Sequence, residues 1–537
     1  MKGTAARALA LAMLLPLLAA CGGQPVRQVF VPPAQPAQAA LGPGGTLILA
    51  LGARDPNTLD PALTGDVTSA FVIRQLFSGL LRLDENMEVQ PDLAEAWELS
   101  EDGRTYTFTL RADARFADGT PLTSADVVYS LERATDPALA AALPAQTYLG
   151  DIVGVREKLA GQADRIGGLA APDARTVQIT IDAPKGYFPA KLSHPTSYVV
   201  DRRAVEAGGG DWTEAPNGSG PFTIERWEHD QLLVLMRNVN YYRDLARLDR
   251  VRMLIGAAAS NPLLLYEQGE IDVTDVPAYA LPRVADESGA LARELVSVPE
   301  LSLMYIGLNV ALPPFDDPKV REAFALLIDR AKLAEVSLIG AATPAHGILP
   351  PGIPGHNPNL PLPAADAARA RALIAESRYG SPAALPPIAA YGSFAGTLRE
   401  VAEDVLGITI EARDYEESEA FFDALDRQEL QIFGSGWVAD YPDPENFVDV
   451  LFRGGSGENH TAYSNPAVDA LLDRAAVETD EARRHALYQQ AEQQILADAP
   501  VIPLYHGISH TLIKPYVRGL TVTPMGIIDL STVELVR

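Results

Sequence analysis

A run of alternating helix and strand patterns between Asp317 and Trp437 restricts this chain to few architectures. After Pro318, VREAFALLIDRAKLAEVSL predicts one long helix and AADAARARALIAES a second. LPPIAAYG then reads as a strand, and TLREVAEDV as a helix with Leu398, Val401 and Val405 on one face. ITIEARDY (strand), EESEAFFDALDRQ (helix) and LQIFGSGW (strand) complete the run. Strands joined through helices lie parallel, with crossovers that put helices on both faces. The segment therefore predicts a doubly wound α/β sheet.

The rest of the chain has a different texture. TLILAL at Thr46, Thr105 to Arg111, Thr176 to Ile181 and Leu232 to Met236 read as short strands, with NGSGPF as a turn. Ala70 to Leu81 mixes apolar and polar faces as a helix does. FADGTPLTSADVVYSLER predicts a turn, a cap at Thr123 or Ser124, and a helix through Arg133. Toward the C-terminus, NPAVDALLDRAAVETDEARRHALYQQAEQQILADAP supplies two helices before Pro500. VIPLYHGISHTLI reads as strand and turn, and VRGLTVTP as a further strand that returns to the first half. At 537 residues the chain exceeds one ordinary core, so at least two domains are expected.

Ligands of doubly wound sheets bind beyond the carboxyl ends of strands. GWVADYPDPENF is expected there, as a loop following LQIFGS. It brings Trp437 together with Asp440, Asp443 and Glu445, and Gly434 and Gly436 allow close backbone approach. Aromatic surface beside fixed negative charge suits a cationic or zwitterionic ligand.

Composition narrows the partners. The formal charge of −27 disfavours nucleic acid and anionic lipid surfaces. No GxSxG, HExxH, GxGxxG or P-loop motif occurs, and the chain is read as a non-enzyme with no cofactor. His506 and His510 have i, i+4 spacing, but in a strand-and-turn segment that spacing is no metal site.

The N-terminus predicts export. Lys2 and Arg7 precede an apolar run from Ala8 to Ala20, too short to span a bilayer. The run ends in Leu18-Ala19-Ala20-Cys21-Gly22, which resembles the bacterial lipobox. Cys21, the only cysteine in the chain, is the expected lipidation site. Residues 1–20 then form a signal peptide, and 21–45, rich in Pro, Ala, Gln and Gly, a flexible tether.

From about residue 46 onward the sequence resembles the extracytoplasmic solute-binding proteins of ABC transporters, in the dipeptide/oligopeptide class (family 5). The resembling segments run from DPNTLDP and QLFSGLLRLDENMEVQPDLAEAWELSEDGRTYTFTLR through RFADGTPLTSADVVYSLER, NGSGPFTIERW and YEQGEIDV to LNVALPPFDDPKVREAFALLIDR and GWVADYPDPENF. The resemblance implies an α/β, two-lobed periplasmic-binding-protein-like fold with an enlarged first lobe. Lobe I would cover 46–305 and 504–537, and lobe II 306–503, with an interlobal cleft that closes on ligand.

It also implies a receptor that delivers peptides to an ABC permease and ATPase complex, anchored to a membrane and monomeric. Asp440 would ion-pair with the peptide α-ammonium. Gly436 and Val438 would pair with its main chain, Trp437 would wall the site, and Tyr148 and the Asp66–Ser69 turn would face the cleft. Some relatives carry an arginine where this chain has Gly434, so a fixed anchor for the peptide carboxylate is not implied. The same scaffold carries oligosaccharides or metal chelates in other relatives, and a hydrolase or a surface sensor are the competing classes.

Overall fold

The computed structural model describes residues 44–139, 142–360, 364–415 and 418–537. The signal segment, Cys21 and residues 21–43 of the tether lie outside them. One large sheet runs the length of the molecule. Its strands, in order, are Ile410–Arg413, Ile388–Tyr391, Ile432–Val438, Ser302–Leu308, Val501–Ile513, Val273–Asp275, Thr46–Gly52, Arg250–Ile255, Leu232–Arg237 and Phe222–Glu228.

The first three are parallel, as the alternating pattern predicts. Ser302–Leu308 is antiparallel to both of its neighbours, so the sheet is mixed rather than doubly wound throughout. Helices nevertheless cover both faces of this part. Phe433 and Val501 pack with Tyr488 and Ile495 on one side, while Ile432 and Ile502 pack with Phe324, Leu373 and Leu398 on the other. That alternation is the period of two expected of a strand buried on both faces.

The strand Val501–Ile513 joins the two ends of the sheet. Its first residues pair with Ser302–Leu308, and its last with Leu295–Pro299 and Val273–Asp275. The expected turn inside VIPLYHGISHTLI is absent, and all 13 residues form one strand. Gly507 permits this, because a Cβ there would stand 2.2 Å from Glu300 Oε2. VRGLTVTP is strand only at Val517–Arg518, which pairs with Glu534–Leu535 and not with the large sheet.

A second, four-stranded antiparallel sheet comprises Ala94–Leu99, Thr105–Leu110, Thr176–Thr180 and Leu169–Asp173. Phe108, Leu110 and Val177 of this sheet pack with Val127 and Leu131 of helix Ser124–Ala134. Asp126 accepts from Thr123 N at 2.8 Å at that helix's start, a cap worth about 1 kcal/mol.

Two helices end earlier than their periodicity predicts. Val67–Leu76 stops before Phe77, and Leu81 begins a short strand, Leu81–Leu83. The long helix after Pro318 is broken. Pro318–Ala325 ends first, Leu326 to Ile328 are buried, and Asp329 caps a new turn at Arg330–Lys332 by accepting from Lys332 N.

Candidate ligand-binding site

GWVADYPDPENF is not wholly a loop, because the strand Ile432–Val438 includes Gly436, Trp437 and Val438. Asn309 N donates to Gln431 O at 3.0 Å and Ala439 N to Leu301 O at 2.8 Å, so odd-numbered residues direct their backbone groups toward Ser302–Leu308. Even-numbered residues face the opposite edge. There the neighbouring strand Ile388–Tyr391 pairs only with Ile432 and Phe433. Gly436 and Val438 therefore present N–H and C=O groups to an edge with no strand beside it among the described residues. At Gly434 a Cβ would lie 3.2 Å from Phe394 Cδ2, so the backbone is closely packed where some relatives carry an arginine.

Asp440 lies two residues beyond the strand and is partly buried. Asn446, fully buried in helix Glu445–Phe452, ties the segment together. Its Oδ1 accepts from Trp437 Nε1 at 3.1 Å and from Asp440 N at 3.0 Å, and its Nδ2 donates to Asp440 Oδ2 at 3.3 Å. Trp437 also packs against the core that contains Phe447, so one side of the indole is structural.

Tyr148 reaches Asp440 from a distant part of the chain. It ends helix Ala142–Leu149, stacks on His194 at 3.6 Å and meets Tyr441 edge-on at 6.5 Å. Burial raises the Asp440 carboxyl, while hydrogen bonds from Tyr148 and Asn446 and the nearby Arg74 guanidinium oppose the rise. Glu458 is its acidic neighbour. Burial, then the charges of Asp440 and Asp426, push the Glu458 carboxyl up to about 7. Two carboxylates that resist ionisation together make a strong field for a cation.

A buried ion-pair network adjoins the site. Lys191 Nζ lies 3.1 Å from Asp151 Oδ2 and 3.0 Å from Glu445 Oε1, and Lys185 reaches Asp151 at 2.7 Å. The Tyr441 hydroxyl donates to Glu445. Lys191 is held protonated by its two carboxylates despite burial. Burial pushes the Glu445 carboxyl up to about 7 against the pull of Lys191.

The structure thus brings Asp440, Trp437 and Tyr148 into one site and leaves Gly436 and Val438 at its open strand edge. Asp66 caps helix Val67–Leu76, accepting from Ser69 N at 2.9 Å. His506 and His510 both lie on the long strand, where His506 Nδ1 donates to Ser302 O and His510 Nδ1 shares a hydrogen bond with Ser297 Oγ. No metal-holding group of side chains occurs among the described residues. Sequence reasoning missed Arg74, His194, Asn446 and Glu458. Only Asn446 left a local signal, as an amide in the first turn of the helix after Pro444.

Comparison with known proteins shows the family. Residues 88–459 match Bacterial extracellular solute-binding proteins, family 5 Middle. The probable deoxycholate-binding periplasmic protein YgiS of Escherichia coli is 32% identical over 484 residues, covering 87% of this chain and 89% of that protein. The periplasmic oligopeptide-binding protein OppA of Escherichia coli is 30% identical over 503 residues, covering 90% and 91%. The solved murein tripeptide binding protein MppA of Escherichia coli superposes with a TM-score of 0.83 at 27% identity, over 93% of this chain and 100% of that one. Against the unliganded open form of MppA the score is 0.71, over 94% and 99%. These are two-lobed proteins, and they are solute-binding receptors rather than enzymes. The chain belongs to the family 5 bacterial extracellular solute-binding proteins.

Proposed function

We propose that this protein is the lipid-anchored, extracytoplasmic receptor of an ABC importer, and that it binds peptides between two lobes and hands them to the permease. Lobe I comprises 46–305 with 504–537, and lobe II comprises 306–503. The paired strands Ser302–Leu308 and Val501–Ile513 cross between them as the hinge. The relatives named for oligopeptides and murein tripeptide support this reading.

The observation that carries it is Asp440, a partly buried carboxylate beside Glu458 at the end of a strand whose outer edge is open. An α-ammonium there receives charge-assisted hydrogen bonds, and the following main chain adds to the edge at Gly436 and Val438. Asp440→Asn is expected to weaken free-amine peptides by about tenfold or more, from the loss of about 1.5–3 kcal/mol per charged hydrogen bond. N-acetylated peptides should be little affected. Calorimetric titration of both sets decides the matter, and equal losses overturn the assignment. The deoxycholate in the name of YgiS supplies the competing reading, an apolar acid without an ammonium, and binding independent of the amine would favour it.

The pH dependence follows from Glu458. Its carboxyl stands at about 7 in the folded protein against an ordinary 4.5, so the empty site holds a proton across that window. A bound ammonium favours the ionised form, so binding releases the proton and affinity rises with pH through this range. Titration near pH 6.5 in buffers of different ionisation heat should register the release, and Glu458→Gln should abolish it.

A further inference from the structure

A small cavity of about 60 Å³ lies beside the Asp440 site, lined by Arg74, Arg82 and Arg243 together with Asp92, Tyr198 and Asp529. Three guanidinium groups in so small a space are unexpected in a chain of net charge −27. Among the described residues Arg74 and Arg82 form no ion pair. The Arg82 Nε is buried without a hydrogen-bond partner. Arg243 does have partners, with Nη1 lying 3.5 Å from Asp92 Oδ1 and 3.2 Å from the Tyr241 hydroxyl.

The two carboxylates on the wall act mainly on Arg243, and Asp92 also faces Arg82. Asp92 accepts from the Tyr242 hydroxyl at 2.7 Å, and Asp529 accepts from Ser531 N at 2.9 Å while capping a short helical turn. With Arg74 facing Asp440 and Arg243 facing both wall carboxylates, Arg82 keeps a buried N–H without an acceptor. A buried N–H left without an acceptor is costly, and the planar fork of a guanidinium matches a carboxylate.

Position links the cavity to the ligand site. Ser193 on its wall precedes His194, which stacks on Tyr148, and Tyr148 in turn bonds Asp440. Leu83 and Ile527, also on the wall, pack against the core cluster that contains Phe447, the residue after Asn446. The geometry points to a second subsite, in which Arg82 and Arg74 receive a carboxylate of the ligand whose ammonium sits at Asp440. This inference rests on the peptide reading above. The cavity is small and adjoins the Asp440 site, so the group is either an acidic side chain close to the N-terminus or the C-terminal carboxylate of a very short peptide.

The test titrates matched peptides onto the soluble protein. Glu-Ala-Ala against Gln-Ala-Ala reads the side-chain source, and Ala-Ala against its C-terminal amide reads the terminal source. One pair should favour the carboxylate by about tenfold or more, and Arg82→Gln should erase that preference while the neutral partner binds as before. Arg82→Lys, which keeps charge without the fork, should retain part of it and controls for folding. Peptides that bind with no carboxylate preference in either pair overturn the subsite and leave the peptide reading standing. If no peptide binds, glutarate separates the two ideas. Thermal stabilisation by glutarate of the wild type but not of Arg82→Gln supports the subsite alone, and no stabilisation of either overturns it.

Discussion

Lys191→Met is expected to lower the free energy of unfolding by about 3–5 kcal/mol, the usual result of removing one partner from a buried ion pair. Lys191 is 3% exposed and its two carboxylates are 294 positions apart in sequence, so few single substitutions here reach as far. Asp151 retains Lys185 at 2.7 Å. Glu445 does not fare as well, since among the described residues only the Tyr441 hydroxyl remains to it.

Its carboxyl, already at about 7, is then driven further up and takes a proton in the folded state. Such a group favours the folded form at low pH and loses that advantage as pH rises through its folded value. The deficit of Lys191→Met should accordingly shrink toward pH 5 and grow above pH 7. Lys191→Met with Glu445→Gln should cost less than the single change, because no charge is left unpaired. Urea unfolding at several pH values measures all of this. A loss under about 1 kcal/mol would show that the network contributes little.

The second large effect is expected at Gly307→Ala. Gly307 pairs directly with Phe433 across neighbouring strands, and the phenyl ring lies over the glycine. A Cβ there would stand 2.2 Å from Phe433 Cζ, and Phe433 is fully buried with no room to withdraw. Overpacking of this kind costs about 1–3 kcal/mol, and the upper end is expected here because the ring that the new methyl meets is fully buried. Phe433→Leu in the Gly307→Ala background should recover part of the loss. An alanine variant as stable as the wild type would mean that the sheet relaxes around it.

Much of the second half was legible because its strands are buried on both faces. Ile388–Tyr391 and the start of Ile432–Val438 appear as apolar runs between amphipathic helices, and those helices form. The edge strand Ile410–Arg413 instead alternates buried and exposed residues. The break at Leu326 to Ile328 was hidden because those three residues continue an apolar period while being buried in a turn. Asp329 signalled the new helix start, as a capping acid before Arg330, yet the period outweighed it. Gly507 and Ser509 suggested a turn in the long strand, where the glycine instead makes room for Glu300.

The candidate site was legible only on one side. Trp437 and Asp440 lie within four residues, and Tyr148 was reached only through the family resemblance, whereas His194, Arg74 and Glu458 converge on them from three other stretches. No periodicity marks such residues. Arg82 and Arg243 look like any surface arginine until the cavity encloses them.

The order of synthesis gives the long strand Val501–Ile513 one more role. Strands Ser302–Leu308, Leu295–Pro299 and Val273–Asp275 all take it as a neighbour, and it emerges after nine-tenths of the chain has been made. Until then two partial sheets wait with unpaired backbone along their facing edges, the condition in which strands recruit the wrong partner. The molecule therefore cannot close its sheet while it is being translated. A chain released a few dozen residues short is left with a long adhesive seam, not merely a missing tail.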